Sequence, residues 1–397
     1  MLEPTIREIK RHTLGAIHSA ESIAERMQMD RLIEGYDPRV IKNKPLKDPK
    51  TIAFVITRLV RFHGGQTSIL RLGTVLEKLG YEVSYLIYKK QSLEEMKLCA
   101  ESNLSGYLGE CDSFDSRLRA TRKGLKTAPD VIVATSWDTV SKVKLFDKSY
   151  KMYFVQDYEP YFYKFGEQFL MAKNTYEQGL HMVSLGGWNR EMILKDCKVV
   201  SPIDVVSFPY EKSEYPEVKH DFASYAKKKT IRIAVYVKYY GKRLPNLIPY
   251  MLENTKKKFE RQGIELKVLY FGEPKVFRSK AGTNLGHLTK PELAKLYASV
   301  DFGMVASMSN ISLVPYEMHA AGLPVIEFAD GTYTYFFGED SALLTRVGER
   351  DIHRLISNAI NTPGLLEKMH KSALETMEGL GWDRTGREFA DILRRKE

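Results

Sequence analysis

The chain is short of cysteine. Its 397 residues include three, Cys99, Cys111 and Cys197, dispersed and without a Cys-x-x-Cys pair. That argues against a structural zinc module and fits a reducing cytoplasm. No apolar run reaches about 18 residues, so no transmembrane helix is expected. Met1–Lys10 is charged and no apolar core follows it, so no signal peptide is expected either. The location these absences suggest is the cytoplasm, with or without peripheral attachment to the inner face of the cell membrane. The first strand–helix loop carries no Gly-x-Gly-x-x-Gly, which counts against a dinucleotide oxidoreductase. No zinc finger, ribonucleoprotein motif or other nucleic-acid module is present, so no nucleic-acid partner is expected.

Hydrophobic residues make up 43% of the chain and aromatics 11%, as in a folded protein. The length is enough for two domains with full cores. The formal net charge is +10 and uneven. From Arg117 to Lys151 nine basic residues face three aspartates, and Lys227-Lys228-Lys229, Lys256-Lys257-Lys258 and Arg394-Arg395-Lys396 form further clusters. Such runs are usually solvated faces. The sharper reading is attraction to an anionic membrane or a lipid-diphosphate acceptor, at about 1 kcal/mol per basic residue near a bilayer.

Residues 4–34 carry apolar positions at three- and four-residue spacing, which predicts a helix. It suits a membrane surface, a dimer contact or plain packing on the domain, and its acids Glu8, Glu21 and Glu25 weaken the membrane option. Residues 35–50, with Pro38, Pro45 and Pro49, read as a linker. Thr51–Thr57, a helix over Thr67–Leu79 and a strand over Gly80–Ile87 make a βαβ unit, the seed of a parallel sheet. Short apolar strands near Asp130–Ala134, Lys151–Val155, Met182–Ser184 and Val205–Phe208 extend it. A second series starts at Ile231–Val237 and continues through Leu266–Gly272, Phe302–Val305 and Pro324–Phe328. The expected layout is a helix and linker over 1–50, one α/β domain over 51–210 and a second over 211–382. A final helix over 383–397 crosses back to the first domain. Ligands of two such domains bind at the carboxyl ends of the strands, in the cleft.

The most informative stretch runs from Ser309-Asn310-Ile311-Ser312-Leu313 through Glu317 to Ala321-Gly322-Leu323-Pro324-Val325-Ile326. A polar loop entering a helix points backbone N–H groups outward, an anion site suited to a diphosphate. Glu317 lies a turn or more inside that helix, in reach of a ribose hydroxyl. The bland alternative is a helix–strand connection of any α/β protein. Phe154-Val155-Gln156-Asp157-Tyr158-Glu159-Pro160-Tyr161-Phe162-Tyr163 sets two carboxylates among aromatics after a strand. Aromatic faces suit sugar rings and carboxylates suit hydroxyls; a strand end with aromatic packing is the plain alternative. Lys238, Lys242 and Arg243 follow the first strand of the second half, where cations lower the barrier to departure of a diphosphate. Solvated cations of a surface loop would look the same.

Together these stretches resemble the nucleotide-sugar site of retaining GT-B glycosyltransferases. Within that family, residues 154–163 are similar to rhamnosyltransferases of bacterial surface polysaccharide assembly, of the WsaF type. The resemblance covers about residues 51–393. It implies a GT-B fold of the α/β class, with two Rossmann-like domains whose parallel sheets face a central cleft. It implies transfer of L-rhamnose from dTDP-L-rhamnose, as donor substrate and not cofactor, to a lipid-linked glycan, with retention. Lys238, Arg243 and the N–H groups of Asn310, Ile311, Ser312 and Leu313 would hold the diphosphate. Glu317 would bind the ribose, and Gly286, His287 and Leu288 the base. Gly64-Gly65 would lie under the donor. Asp157, with Gln156 and Glu159, would orient the acceptor hydroxyl; Asp157, Glu317 and Lys238 form the catalytic set. No metal is implied, since no Asp-x-Asp is present and cations serve the diphosphate. One departure stands out: the family's first motif Glu falls at Ser309, which suggests a deoxysugar. A UDP or GDP donor, a sugar-nucleotide epimerase and a non-catalytic glycan- or membrane-binding subunit stay open.

Overall fold

A computed structural model describes residues 23, 25–27, 29–104, 128–210, 212–239, 241–274 and 276–395. The chain forms two compact units, Met1–Val40 and Ile41–Glu397. In the first, residues 29–35 are helical. Most of the helix expected over 4–34 lies outside the described residues, as do Cys111 and the basic positions from Arg117 to Lys126.

The second unit holds two six-stranded sheets, every described pairing parallel. The first contains β1 (Thr51–Ile56), β2 (Glu82–Ile87), β3 (Val131–Ala134), β4 (Tyr150–Val155), β5 (His181–Leu185) and β6 (Ile203–Val206), in the order β2-β1-β3-β4-β5-β6. Its described helices are α1 (Gly64–Lys78), α2 (Leu93–Asn103), α3 (Trp137–Val143), α4 (Glu167–Thr175) and α5 (Gly187–Asp196). The second sheet contains β7 (Thr230–Tyr236), β8 (Glu265–Phe271), β9 (Gly282–Asn284), β10 (Phe302–Met304), β11 (Val325–Phe328) and β12 (Leu343–Thr345), in the order β12-β11-β10-β7-β8-β9. With it go α6 (Leu247–Glu260), α7 (Lys290–Ser299), α8 (Leu313–Ala320), α9 (Tyr333–Phe337), α10 (His353–Asn361) and α11 (Leu365–Met377).

The strands are legible because helices cover both faces of each sheet. β3, β4, β5 and β11 are buried along their whole length, so their sequences run nearly unbroken in apolar residues. Strand order reverses between β1 and β3 in one sheet and between β7 and β10 in the other. Such reversals open a crevice at the carboxyl ends, because successive helices leave to opposite faces there.

The last helix, α12 (Trp382–Arg394), packs on α1 of the first half. Phe389 lies 6.4 Å from the Phe54 ring and 6.2 Å from the Phe154 ring. A Cβ on Gly386 would come within 2.3 Å of Val75 Cγ1, so only glycine admits this approach. The α12 side chains also tie down the connector leaving β6. Glu388 accepts from the Ser207 N–H at 2.5 Å and its hydroxyl at 2.7 Å, and Thr385 Oγ1 donates to Ser207 O at 2.9 Å. Among the described residues no helix is long and apolar enough to cross a membrane.

Candidate functional site

The loops after β4, β7 and β10 meet between the two halves. Asp157, two residues past β4, is the junction. Its Oδ1 accepts from Ser309 Oγ at 2.8 Å and its Oδ2 from Lys242 Nζ at 2.9 Å. Beside it, Asn310 Nδ2 donates to the backbone oxygens of Gln156 at 2.6 Å and Leu185 at 3.3 Å. Ser309 and Asn310 are both buried. Two neighbouring residues of the sequence motif are thereby pinned to the segment 156–157 of the opposite half. Lys242 also lies 4.0 Å over the Phe162 ring, a cation–π contact. Burial lowers its pKa, and the facing Asp157 opposes that shift.

The three cations differ in employment. Arg243 is buried: its Nη1 donates to Ala306 O at 2.6 Å and its guanidinium lies 5.8 Å from the Tyr236 ring centre. It braces the loop between β10 and α8. Glu327, on β11, supports the same loop. It accepts from Ser307 Oγ at 2.6 Å, Ser307 N–H at 3.2 Å and Phe328 N–H at 3.0 Å. Burial raises its carboxyl to about 7, against these bonds and the Arg243 charge. Lys238 is half-buried and, among the described residues, has no hydrogen-bond partner; desolvation lowers its pKa, while Glu273 raises it. Lys238 is thus the cation left available to a ligand.

The entry to α8 is more selective than its sequence implies. Ser312 is the N-cap, and Leu313 opens the helix. The Ile311 N–H is already taken by Asn310 Oδ1 at 2.9 Å, and Pro315 has none. The expectation that Ile311 presents its N–H to an anion therefore needs correction, because the Asn310 side chain caps it. Ser312 Oγ is buried and, among the described residues, without a partner, at the place where Leu313 and Val314 begin the helix. An orphaned hydroxyl beside first-turn amides fits an anionic ligand. The helix ends as the sequence suggests, with Gly322 at φ +84°, its N–H on His319 O at 2.9 Å and the Leu323 N–H on Met318 O at 2.9 Å.

Glu317 is half-buried. Burial raises its carboxyl to about 7, opposed by a hydrogen bond from Tyr215 and the charge of Arg71. Around it is an ion cluster that no local sequence pattern predicts. Arg71 of α1 donates to Glu214 Oε1 at 2.5 Å, and Lys290 of α7 reaches both Glu214 oxygens at 2.7 and 2.8 Å. Arg71 also lies 5.7 Å from the Trp382 ring. Its partner is 143 residues away, so no local pattern reveals the pair.

Gly64 and Gly65 form the first turn of α1 rather than a loop before it, with His63 as N-cap. A Cβ at Gly64 would meet nothing within 4 Å; one at Gly65 would be 3.5 Å from the Gln156 side chain. His63 feels the charges of Lys238 and Lys242 from the second half and of Asp157 from its own. Its side chain is exposed, and the direction of its pKa is downward, from desolvation and then the two lysines. His287 lies 5.3 Å from the Phe62 ring, and desolvation with Lys238 lowers its pKa. Gly286, at φ +80°, accepts from the Gly272 N–H at 2.9 Å, and Leu288 packs against the core. Thr289 and Glu292 form a capping box at the start of α7.

Glu159 stands apart from the other candidates. It is buried, its Oε1 held by Tyr153 Oη at 2.5 Å and its Oε2 by the Trp137 N–H at 2.9 Å. Desolvation raises it to about 8. The 3-10 turn Glu159–Phe162 aims this carboxyl inward, where it fixes the segment that displays Asp157.

No protein-family model and no curated protein matches the chain. Solved structures do. The sucrose-phosphate synthase of Thermosynechococcus elongatus is 16% identical over 87% of this chain and 98% of that one, with a TM-score of 0.62. A glycosyltransferase of Rickettsia africae is 12% identical over 88% and 98%, with a TM-score of 0.63. Anabaena HepE, in complex with UDP and glucose, is 11% identical over 87% and 99%, with a TM-score of 0.60. The likeness extends over both sheets, and the fold is GT-B.

Proposed function

We propose that this chain is a glycosyltransferase that moves L-rhamnose from dTDP-L-rhamnose to a hydroxyl of a growing, lipid-linked surface glycan, with retention and without a metal. The observation that carries the reading is the junction at Asp157. One carboxylate from the first half meets Lys242 and Ser309 of the second, beside the open Lys238 and the start of α8. Lys238 and the first-turn amides of α8 would receive the diphosphate, and fixed cations there stabilise the leaving charge. Glu317, held by Tyr215, would take the ribose. Asp157 would orient the acceptor hydroxyl. The fold supports this, since solved proteins of the same shape include named glycosyltransferases.

The choice of rhamnose rests on Ser309. A short hydroxyl already engaged with Asp157 offers no carboxylate to a sugar hydroxyl, which suits a deoxysugar. A UDP-sugar donor is the second reading, favoured by the UDP held by the similar HepE structure.

The first experiment is thermal stabilisation by dTDP, UDP, GDP and ADP, with EDTA present throughout. A nucleotide at about a hundredfold over its Kd adds roughly 2.7 kcal/mol. Preference for dTDP supports the proposal and directs assays to dTDP-rhamnose. Preference for UDP or GDP transfers it to another donor. Stabilisation by none removes the donor site and leaves a glycan-binding subunit.

A further inference from the structure

A second concavity lies outside the cleft, on α6. Asn246, Tyr250 and Glu253 recur at positions i, i+4 and i+7, so they share one face of the helix. With Pro245, Pro249, Tyr239, Phe277 and Arg278 they line an open cavity of about 300 Å³. No residue assigned to the donor or acceptor lines it.

The lining mixes aromatic faces with planar polar heads. Tyr239 is 55% exposed and Tyr250 51%, so two large ring faces are open to a ligand on one surface. Phe277 is buried beneath, 5.9 Å from Tyr239 and 5.2 Å from Tyr270, so the wall is rigid. Asn246 caps α6 in sequence but makes no side-chain cap bond. Arg278 has no hydrogen-bond partner among the described residues. Glu253 Oε1 accepts from the Lys280 N–H at 3.2 Å and Ser279 Oγ at 3.5 Å, which leaves Oε2 open. The cavity thus offers donors, an acceptor and two ring faces, and its two charges cancel.

We propose that this cavity is a carbohydrate-binding site that holds a neutral segment of glycan away from the reacting end. A sugar ring presents C–H groups to an aromatic face and hydroxyls to planar polar groups, and this lining supplies both. A phosphorylated ligand fits less well, because Glu253 opposes it. The choice of ligand rests on the glycan-transfer reading, while the cavity does not depend on the donor.

The test uses the full chain on immobilised short, neutral, linear oligosaccharides of rhamnose, glucose or N-acetylglucosamine, with and without saturating nucleotide. Wild type should retain at least one of them. Tyr250→Ala and Arg278→Ala should each weaken retention, and the double variant by about tenfold, a loss of about 1.4 kcal/mol. Both residues are exposed, so melting temperature and nucleotide stabilisation should match wild type. No retention by wild type, or retention unchanged in the double variant, overturns the proposal. A double variant that loses nucleotide stabilisation as well overturns it too, since the cavity would then belong to the donor site. Glycan retention without any nucleotide stabilisation sinks the transferase reading and leaves this site standing.

Discussion

Ser309 Oγ donates to Asp157 Oδ1 across 2.8 Å, joining residues 152 positions apart and belonging to opposite halves of the cleft. The hydroxyl and the Lys242 ammonium fix both carboxylate oxygens of Asp157. The group assigned to the acceptor is therefore oriented before any substrate arrives.

Replacing Asp157 by Asn keeps the shape and removes the charge. Transfer should fall by about 10²- to 10⁴-fold, the range of a positioned acid–base group, with nucleotide stabilisation retained. Rates measured with donor and acceptor decide it. An unaltered turnover would remove Asp157 from the chemistry.

Glu317→Ala should weaken nucleotide binding about 10- to 100-fold, as loss of a charged hydrogen bond of about 1.5–3 kcal/mol implies. Tyr215→Phe should act in the same direction and less strongly, because it removes only the support of that carboxyl. Calorimetric titration with the nucleotide that stabilises wild type separates these outcomes. Equal affinity in Glu317→Ala and wild type would refute the ribose contact.

The cations should separate by phenotype. Lys238→Met should lower turnover by about 10- to 100-fold while the fold survives, since this ammonium has no structural partner among the described residues. Arg243→Ala should lower stability by about 1–3 kcal/mol, because it leaves the buried Ala306 O without its donor. Chemical denaturation and kinetics on both variants test the contrast, which fails if Arg243→Ala melts like wild type.

Glu159 gives a pH signature. Its carboxyl rises from 4.5 to about 8 in the fold. Through that window the folded chain keeps a proton the unfolded chain has lost, so this group's contribution to stability declines as pH rises. Gln cannot ionise. The melting temperature of Glu159→Gln relative to wild type should therefore move in the variant's favour between about pH 5 and pH 9. A constant difference would show that Glu159 does not titrate in that window.

The sheets were legible because parallel strands buried on both faces leave an unmistakable apolar run, as in Ile52-Ala53-Phe54-Val55 and Val131-Ile132-Val133-Ala134. β9, Gly-Thr-Asn, carries no apolar residue and β12 only Leu343-Leu344, so neither leaves the apolar run that marks β10. In the site, types were legible and directions were not. Asp157 and Glu159 are two carboxylates on one short segment, and a single 3-10 turn sends one into the cleft and the other into the core. Asn310 reads as an anion-loop residue, yet its amide spends its bonds on Gln156 and Ile311. The Arg71–Glu214–Lys290 cluster joins α1, the connector and α7, and only the folded chain brings them together.

The chain passes between the two halves twice, once after β6 and once before α12, and both passages are fastened at Ser207 through Thr385 and Glu388. Two covalent strands bound side by side leave little freedom to slide or twist. Opening becomes rotation about an axis near Ser207, as for a door on adjacent hinges. Asp157, Lys242, Ser309 and Asn310 then form the polar catch of that seam, with the Phe208–Tyr316 ring stack and the Tyr335 hydroxyl on Glu191 as further ties across it.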